Sequence, residues 1–525
     1  AQTLIKYDFS ESKYDDPYES TTLRSLSLLF LITRFKLYRY NSSGRTPHSF
    51  LFPDLRRGSL HLDSQKVVCY FGSWSVYRPG AGKFGIPDID ARLCTHLIYT
   101  FVGISTSGEV KVLDAWQDLP DNWGKDGFGN FNKLREQNPN AKTLIAIGGW
   151  NEGSVKYSQV VADPALRAKF VKNVVAFVQK YGFDGFDVDW EYPNQRGGVE
   201  ADKWNYILLL KELKEEFVKY GFILSAAVGA AESSASKSYL IPEMSKYLDF
   251  INLMSYDFNG AWSNTAGINA PLYKGSWEHG NQAKSNVDAA VKYWLDNGAP
   301  KSKLIVGMPL YGRGFTLADP SNNKIGAPTT GPIAAGPYTR EAGMLGYNEI
   351  CEYLKSGEWT TNFNEEQRVP YAFKGNQWFG YDDVNSIKEK SEYVMQMDLG
   401  GAMVWSIETD DFHGTCGEKF PLLKTINRVL NSGVTIPKEP PKQPNTTKQP
   451  NPPVTNSPVT EAPVVPPTSV CTQEGYVSDK EDCSVFYYCQ VVNGVFQPSR
   501  FQCNDGLGFD IRIKACNYKE AVPGC

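Results

Sequence analysis

The sequence predicts an α/β protein whose main domain is a (β/α)8 barrel. Eight short apolar segments recur between residues 66 and 430, and longer stretches with helical periodicity separate them. An open doubly wound sheet is the alternative, but no G-x-G-x-x-G phosphate loop follows the first segment. The predicted strands are Val67–Trp74, His96–Ile104, Thr143–Trp150, Phe183–Tyr192, Ile223–Ala230, Phe250–Phe258, Leu304–Leu310 and Gly401–Ile407.

Two of the predicted helices have clear ends. Ala165–Tyr181 starts after Asp163-Pro164 and is followed by Gly182, and Asp202–Tyr220 is followed by Gly221. Apolar residues recur along one face of each helix, so both should pack on the barrel strands. These residues are Leu166, Phe170, Val174, Phe177, Tyr206, Leu210, Leu213 and Phe217.

Composition divides the chain into four parts. In residues 1–64, the run Leu26–Ile32 resembles a signal-peptide core but lies too far from residue 1 for an ordinary signal, so this segment is left unassigned. Residues 65–431 form the predicted barrel. The stretch at about 316–377 is too long for a loop and predicts a small α+β insertion before the last strand. Residues 432–470 include eleven prolines between Pro437 and Pro467, which predicts an extended linker.

Residues 471–525 predict a small, disulfide-rich β-type module. A segment of this size cannot bury enough apolar surface unaided, and six cysteines are crowded into it. Metal ligation is the alternative, but the segment has no His and no paired C-x-x-C units. The even count of ten cysteines predicts disulfides and therefore a secreted, extracellular protein. The ten are Cys69, Cys94, Cys351, Cys416, Cys471, Cys483, Cys489, Cys503, Cys516 and Cys525.

The charge balance favours a neutral substrate. The net charge of −4 predicts no nucleic-acid partner. The run Leu26–Ile32 is too short to span a bilayer, which predicts no stable membrane insertion. The aromatic share of 13% suits sugar binding, where flat rings stack on pyranose faces, although cores use aromatic residues too. Asn41 and Asn445 begin possible glycosylation sequons. We expect a monomer with no metal and no organic cofactor.

The stretch from Phe183 to Pro193, F-D-G-F-D-V-D-W-E-Y-P, carries the predicted chemistry. Strand side chains alternate, so Asp187, Asp189 and Glu191 should share one face. Neighbouring buried carboxyl groups push their pKa values apart, which keeps one protonated for use as a general acid. A solvent-facing edge strand is the alternative, but the Val, Phe and Trp between the acids indicate burial.

Barrel enzymes place their chemistry at the carboxyl ends of the strands. Aromatic and charged residues recur at or near these ends in the predicted barrel, where they would form a cleft for an uncharged, polyhydroxylated ligand. The residues expected there, besides the three acids, are Tyr70, Phe101, Trp150, Met254, Tyr256, Asp257, Arg313 and Trp405.

Residues 66–430 resemble glycoside hydrolase family 18, and in particular the chitinases of insects and other arthropods. The resemblance rests on four motifs: Lys142–Trp150, Asp184–Glu191 (D-G-F-D-V-D-W-E), Met254–Asp257 (M-S-Y-D) and Leu399–Asp411. The cysteine pattern of 471–525 is similar to the peritrophin-A type of chitin-binding domain. By analogy, the resemblance implies the disulfides Cys69–Cys94, Cys351–Cys416, Cys471–Cys489, Cys483–Cys525 and Cys503–Cys516.

The resemblance implies an endo-acting chitinase whose partners are chitin and chitin oligosaccharides. Ordinary glycosidases flank the scissile bond with two carboxylates, whereas Asp189 should lie roughly 6.6 Å behind Glu191 on one strand. The family instead implies retention with the substrate acetamido group as nucleophile and Glu191 as acid and base. Asp189, supported by Asp187, would position the acetamido nitrogen, and Tyr256 with Asp257 would orient its oxygen. The alternative is a non-catalytic chitin-binding lectin or signalling protein on the same barrel.

Overall fold

The computed structural model describes residues 65–431, 475–479, 482–492, 495–503, 507–512, 515–519, 522–523 and 525. The unassigned segment 1–64, the linker, Asn41, Asn445 and Cys471 lie outside the described residues. Backbone contacts divide the chain into two units, Ala1–Pro440 and Pro441–Cys525. Each unit is therefore described by itself.

Eight parallel strands close into a barrel, as predicted. β1 pairs with β2 on one side and with β8 on the other, and each remaining strand pairs with its neighbours in sequence order. Closure leaves the barrel without a free edge, and the inward side chains fill its interior. The strands are β1 Lys66–Gly72, β2 His96–Ile104, β3 Lys142–Gly148, β4 Gly185–Asp189, β5 Ile223–Gly229, β6 Phe250–Met254, β7 Leu304–Pro309 and β8 Gly401–Trp405.

Several predicted strands were too long at their carboxyl ends. Phe183–Tyr192 was predicted, but β4 stops at Asp189, where its ladder with β3 ends. Trp150 was placed on the third strand, but it lies in the 3-10 turn that follows β3. The turn passes through Gly149 at φ 82°, where an added Cβ would lie 2.6 Å from the Phe101 ring. The chain therefore leaves the sheet before Trp150 and Glu191, so these two residues stand on its rim.

Helices cover the outside of the barrel. The helix Pro164–Tyr181 starts at Asp163, whose Oδ1 accepts from the backbone nitrogen of Ala165 at 2.7 Å, and ends at Gly182 with φ 76°. The second predicted helix ends at Phe217, three residues earlier than expected. No helix in the described part of the chain is both long and apolar enough to cross a membrane. The α-helices are Ala115–Asp118, Gly127–Asn132, Val155–Ala162, Pro164–Tyr181, Asp202–Phe217, Glu232–Ser238, Ile241–Met244, Val287–Asp296, Tyr347–Lys355, Val384–Met397 and Pro421–Leu430.

A small α+β insertion lies between β7 and β8. Its antiparallel sheet packs around two apolar clusters, one of which also includes Ala266 and Ile268 from the segment after β6, and the helix Tyr347–Lys355 belongs to the insertion. It is wider than the predicted 316–377, because its first strand starts right after β7. Its strands are Tyr311–Leu317, Thr329–Pro332, Met344–Gly346, Thr360–Asn364, Val369–Lys374 and Gln377–Gly380. A separate short strand, Val110–Val112, pairs with β2.

Two disulfides join segments within the first unit. Cys69 on β1 is joined to Cys94 just before β2, and Cys351 in the insertion helix is joined to Cys416 after β8. Both pairs are those that the family resemblance implied. The second bond closes a long loop that includes β8, so it restricts the unfolded chain.

The C-terminal unit consists of antiparallel strands. Three strands form one sheet, Gly475–Ser478, Val485–Val492 and Val495–Gln502, and Leu507–Asp510 pairs with Ala515–Tyr518. Cys483 is joined to Cys525. Phe486 and Phe509 stack with ring centroids 3.9 Å apart, and Phe509 is buried. Phe509 therefore belongs to the small core of this unit.

Candidate active site

The acids of the Phe183–Pro193 stretch meet at the carboxyl-terminal rim of the barrel. Asp187 and Asp189 lie on one face of β4, and they are 0% and 4% exposed. Glu191 stands two residues beyond the strand and is partly exposed. The predicted row of acids is therefore graded, from a fully buried Asp187 to a Glu191 that solvent can reach.

Asp187 accepts hydrogen bonds from residues of three other barrel strands. The Tyr70 hydroxyl donates to Oδ2 at 2.8 Å, and the Ser225 hydroxyl donates to Oδ1 at 2.6 Å. The Asn252 amide donates to Oδ1 at 3.3 Å and to the Tyr70 hydroxyl oxygen at 2.9 Å. Burial raises the pKa of Asp187 to about 6, because these donors offset only part of the loss of hydration.

Asp189 lacks this support. No donor among the described residues reaches its Oδ1, although that atom is buried. Burial raises the pKa of Asp189 well above its ordinary value, and the charges of Glu191 and Asp187 raise it further. Burial and these two neighbouring charges therefore favour the neutral form of Asp189 over its ionised form.

Glu191 has the acidity of a general acid. Burial raises its pKa to about 7. A hydrogen bond from Tyr192 and the positive charge of Arg196 lower the pKa but only partly offset the effect of burial. The nearby charge of Asp257 raises the pKa. A carboxyl group of this pKa is protonated in about half of the molecules at neutral pH, so it can both give and take a proton.

Asp257 is fixed by residues of the insertion. Its Oδ1 accepts from the Tyr311 hydroxyl at 2.7 Å and from Nε of Arg313 at 2.7 Å, and Nη2 of Arg313 donates to its Oδ2 at 2.8 Å. Its neighbour Tyr256 places its hydroxyl oxygen 3.8 Å from the sulfur of Met403 in the barrel interior. The insertion thus supplies part of the site, because Tyr311 and Arg313 lie on its first strand.

Four aromatic side chains, Tyr70, Trp74, Phe101 and Trp405, form one wall of the cleft, which we call the aromatic wall. The centroid of the Trp405 ring lies 5.5 Å from that of Tyr70, 6.1 Å from that of Trp74 and 5.9 Å from that of Phe101. Trp74 stacks on Phe101 at 6.1 Å and is 42% exposed. Tyr70 is buried, so the wall presents flat apolar faces beside the acids through the other three rings.

The structure places the other predicted binding residues around the same rim. Trp150 is 59% exposed in the turn after β3, and Met254 ends β6 beside the interior apolar cluster. The sequence had not selected Trp74, although it ended the first predicted strand. Ser225 and Asn252 were also missed, and a polar residue inside an apolar strand is the signal that could have found them.

One group of described residues has the spacing of a metal site, Cys351, Asp411 and Cys416. Its two sulfur atoms are joined to each other, and Asp411 accepts from the backbone nitrogens of Thr415 at 2.9 Å and Cys416 at 2.8 Å. Thiolates are the ligand form of cysteine. This group therefore closes a loop and does not offer the ligands of a metal centre.

A family model described as "Glycosyl hydrolases family 18" matches residues 66–410, which is more than half of the chain. The chain belongs to glycosyl hydrolase family 18. A second model, "Chitin binding Peritrophin-A domain", matches residues 471–525. The protein is therefore a family 18 enzyme that carries a C-terminal peritrophin-A domain, as the sequence motifs indicated.

Similar proteins share both the sequence and the fold. The "Endochitinase" of Manduca sexta is 42% identical over an alignment of 539 positions that covers 88% of this chain and 95% of that protein. "Chitotriosidase-1" of Mus musculus is 39% identical and covers 86% and 95% of the two chains. Ostrinia furnacalis Group IV chitinase, whose crystal structure has been solved, shares 48% sequence identity with this chain. The two structures align with a TM-score of 0.68, and the alignment covers 70% of this chain and 100% of that one. A complex of that Ostrinia chitinase with allosamidin has also been solved.

Proposed function

We propose that this family 18 enzyme is an endo-acting chitinase. It hydrolyses β-1,4 bonds between N-acetylglucosamine units with retention, and the acetamido group of the substrate is the nucleophile. The observation that carries the proposal is the position of Asp189, which lies buried on β4, two residues before Glu191. A nucleophile must be ionised and face the anomeric carbon from the side of the sugar opposite the acid. Burial raises the pKa of Asp189, which disfavours its ionised form, and Asp189 lies just behind the proposed acid and not across the sugar from it.

Glu191 is proposed to act first as acid and then as base. Its proton passes to the glycosidic oxygen while the acetamido oxygen attacks the anomeric carbon, so the bond to the leaving sugar breaks and a cyclic oxazolinium ion forms. Glu191 then takes a proton from the attacking water, which opens the ring and restores the acetamido group. Both displacements invert the anomeric carbon, so the net result is retention.

Asp189 and Asp187 are proposed to stabilise the intermediate. The buried Oδ1 of Asp189 accepts no hydrogen bond from the described residues, so it is available to the acetamido N–H. Sharing the proton of Asp189 with Asp187 leaves negative charge beside the positive oxazolinium ion. The tyrosine, serine and asparagine donors around Asp187 fix this pair on β4.

The remaining predicted residues are proposed to bind and orient the sugar. Tyr256 and Asp257 orient the acetamido oxygen, and Arg313 keeps Asp257 in place through its two hydrogen bonds. Trp405 forms the floor under the reacting sugar, and the rest of the aromatic wall extends the flat surface. Trp150 and Met254 contribute contacts on other sides of the rim. A pyranose ring offers a face of C–H groups that packs well on such rings.

We further propose that the enzyme is secreted and acts as a monomer on insoluble chitin. The disulfides support secretion, because such bonds persist in oxidising compartments. The peritrophin-A domain would keep the barrel near the polymer surface through a raised effective concentration. The absence of membrane insertion stays a prediction, and so does glycosylation at the two sequons.

Replacing Glu191 by Gln tests the proposal. The amide keeps the shape of the side chain but cannot give or take the proton, so the variant should retain chitin binding and lose nearly all hydrolysis. Glu215→Gln is the matched control, because Glu215 is exposed on the helix Asp202–Phe217 and should leave both properties unchanged. Substantial turnover by Glu191→Gln would refute the assignment. A wild-type chain that binds chitin without cleaving it would favour the lectin alternative.

A further inference from the structure

Arg196 lies just beyond the acid stretch and joins two residues of the rim. Its Nη1 donates to the backbone carbonyl oxygen of Trp150 at 2.7 Å and to that of Glu191 at 3.0 Å. Its guanidinium carbon lies 3.5 Å from the centroid of the Trp150 ring. One side chain therefore contacts both the exposed indole and the proposed general acid.

These contacts occur where the sheet no longer fixes the backbone. The ladder between β3 and β4 ends at the pair of Gly148 and Asp189, and Trp150 and Glu191 each stand two residues further on. Beyond that pair, the guanidinium supplies their carbonyl groups with a donor that strand pairing no longer supplies. Because this donor is planar and always charged, it fixes the separation of the two strand ends better than a lysine could.

The same guanidinium supports the Trp150 indole from one side. A cation over the ring face is attracted to it, and the flat contact limits rotation of the indole. With one face covered, Trp150 is still 59% exposed. The uncovered part of the ring is free to stack on a sugar, in an orientation that Arg196 sets.

The charge of Arg196 also acts on Glu191. It lowers the pKa of Glu191, as does the hydrogen bond from Tyr192, whereas burial and the charge of Asp257 raise it, and Asp189 is the buried carboxyl group that interacts with it. The neutral phenols of Tyr239 and Tyr256 also face this carboxyl group. Among the described residues, Arg196 is the cation that acts on this group, so removing its charge should make Glu191 a weaker acid.

We propose that Arg196 is a positioning residue that fixes Trp150 relative to Glu191, so that a chitin chain stacked on the indole is aligned with the general acid. The inference rests on the proposed chitinase function and deepens it. Arg196 thereby determines how strongly the enzyme distinguishes chains long enough to reach Trp150 from shorter ones.

Two variants separate the planar contact from the charge. Arg196→Gln removes both, and Arg196→Lys keeps the charge but loses the flat guanidinium. We expect both to raise KM for the N-acetylglucosamine hexamer about two- to fivefold, because both lose the flat contact of the guanidinium with the indole, which is comparable in size to an exposed cation–π contact. KM for a chromogenic glycoside of the dimer should change less. The alkaline limb of the kcat/KM profile should move to higher pH in Arg196→Gln and stay in place in Arg196→Lys.

Arg92→Gln is the matched control for loss of one exposed arginine charge. Arg92 lies before β2, at the opposite end of the barrel, and pairs with Asp90. The Arg92→Gln variant should have the KM values and the pH profile of the wild type. Wild-type KM values and an unmoved alkaline limb in Arg196→Gln would overturn the proposal. If the wild type cleaves no oligomer, the chitinase function fails instead. In that case a fluorescence titration of hexamer binding tests the role of Arg196 separately. Equal affinity of the wild type and Arg196→Gln would still refute that role.

Discussion

Asp187 and Asp189 share one face of β4 but have opposite hydrogen-bonding surroundings. The carboxyl group of Asp187 accepts from Tyr70 at 2.8 Å and from Ser225 at 2.6 Å, whereas no described residue donates to the buried Oδ1 of Asp189. The pKa of Asp187 is raised to about 6, and that of Asp189 is raised well above its ordinary value. The surroundings of Asp187 therefore support a negative charge better than those of Asp189, and the Oδ1 of Asp189 keeps its acceptor capacity for the substrate.

This asymmetry predicts a narrow pH profile for kcat/KM. Glu191 must be protonated to act as acid, and burial raises its pKa to about 7, so activity should fall as the pH rises through that value. The Asp187–Asp189 pair must keep its negative charge, so activity should also fall below about pH 6. Initial rates on a soluble oligomer from pH 4 to 9 measure both limbs. An alkaline limb near pH 4.5, the ordinary range of a glutamic acid, would contradict the assignment of Glu191.

Asp257 should matter for stability as well as for activity. Asp257→Ala leaves the donors of Tyr311 and Arg313 without their acceptor, and Tyr311 is 2% exposed. We expect a loss of about 1 to 3 kcal/mol in the free energy of unfolding, measured by chemical denaturation. Glu216→Ala removes an exposed ion pair with Lys219 and should cost less than about 1 kcal/mol. Equal stability of the two variants would show that the Asp257 pair contributes no more than a surface contact.

The C-terminal domain should affect insoluble and soluble substrates differently. A chain truncated after residue 431 retains the whole barrel, so its kcat/KM on short oligosaccharides should stay within about twofold of the full-length value. Its rate on crystalline chitin should fall by roughly tenfold or more, because the tethered domain no longer keeps the barrel near the surface. Adding the separate domain back in trans is the control and should not restore the rate. Proportional losses on both substrates would point to damage in the barrel.

Features of the chain that repeat or that lie close together in the sequence were predicted well. The alternation that puts Asp187 and Asp189 on one face of β4 is a local pattern, and so are the eight apolar segments of the barrel. The ends of helix Pro164–Tyr181 also followed from local chemistry, because Asp163 and Gly182 stabilise the two ends.

The contacts that the sequence did not predict depend on the closed barrel. Ser225 and Asn252 belong to other strands, and only closure of the sheet brings them to Asp187. Arg196 reaches Trp150 across a loop in which its own φ is 51°, and no spacing rule predicts that path. The strand ends were overestimated for a related reason. Apolar and aromatic residues continue past Asp189, whereas the strand stops where its hydrogen-bonded neighbour stops.

The most direct test of the account compares cleavage of the N-acetylglucosamine hexamer with cleavage of the fully deacetylated hexamer, while proton NMR follows the anomer of the first product. If the acetamido group is the nucleophile, the acetylated chain is cleaved to the β anomer and the deacetylated chain is not cleaved at a measurable rate. Equal cleavage of both chains, or an α anomer as the first product, would contradict substrate-assisted hydrolysis with Glu191 as the acid.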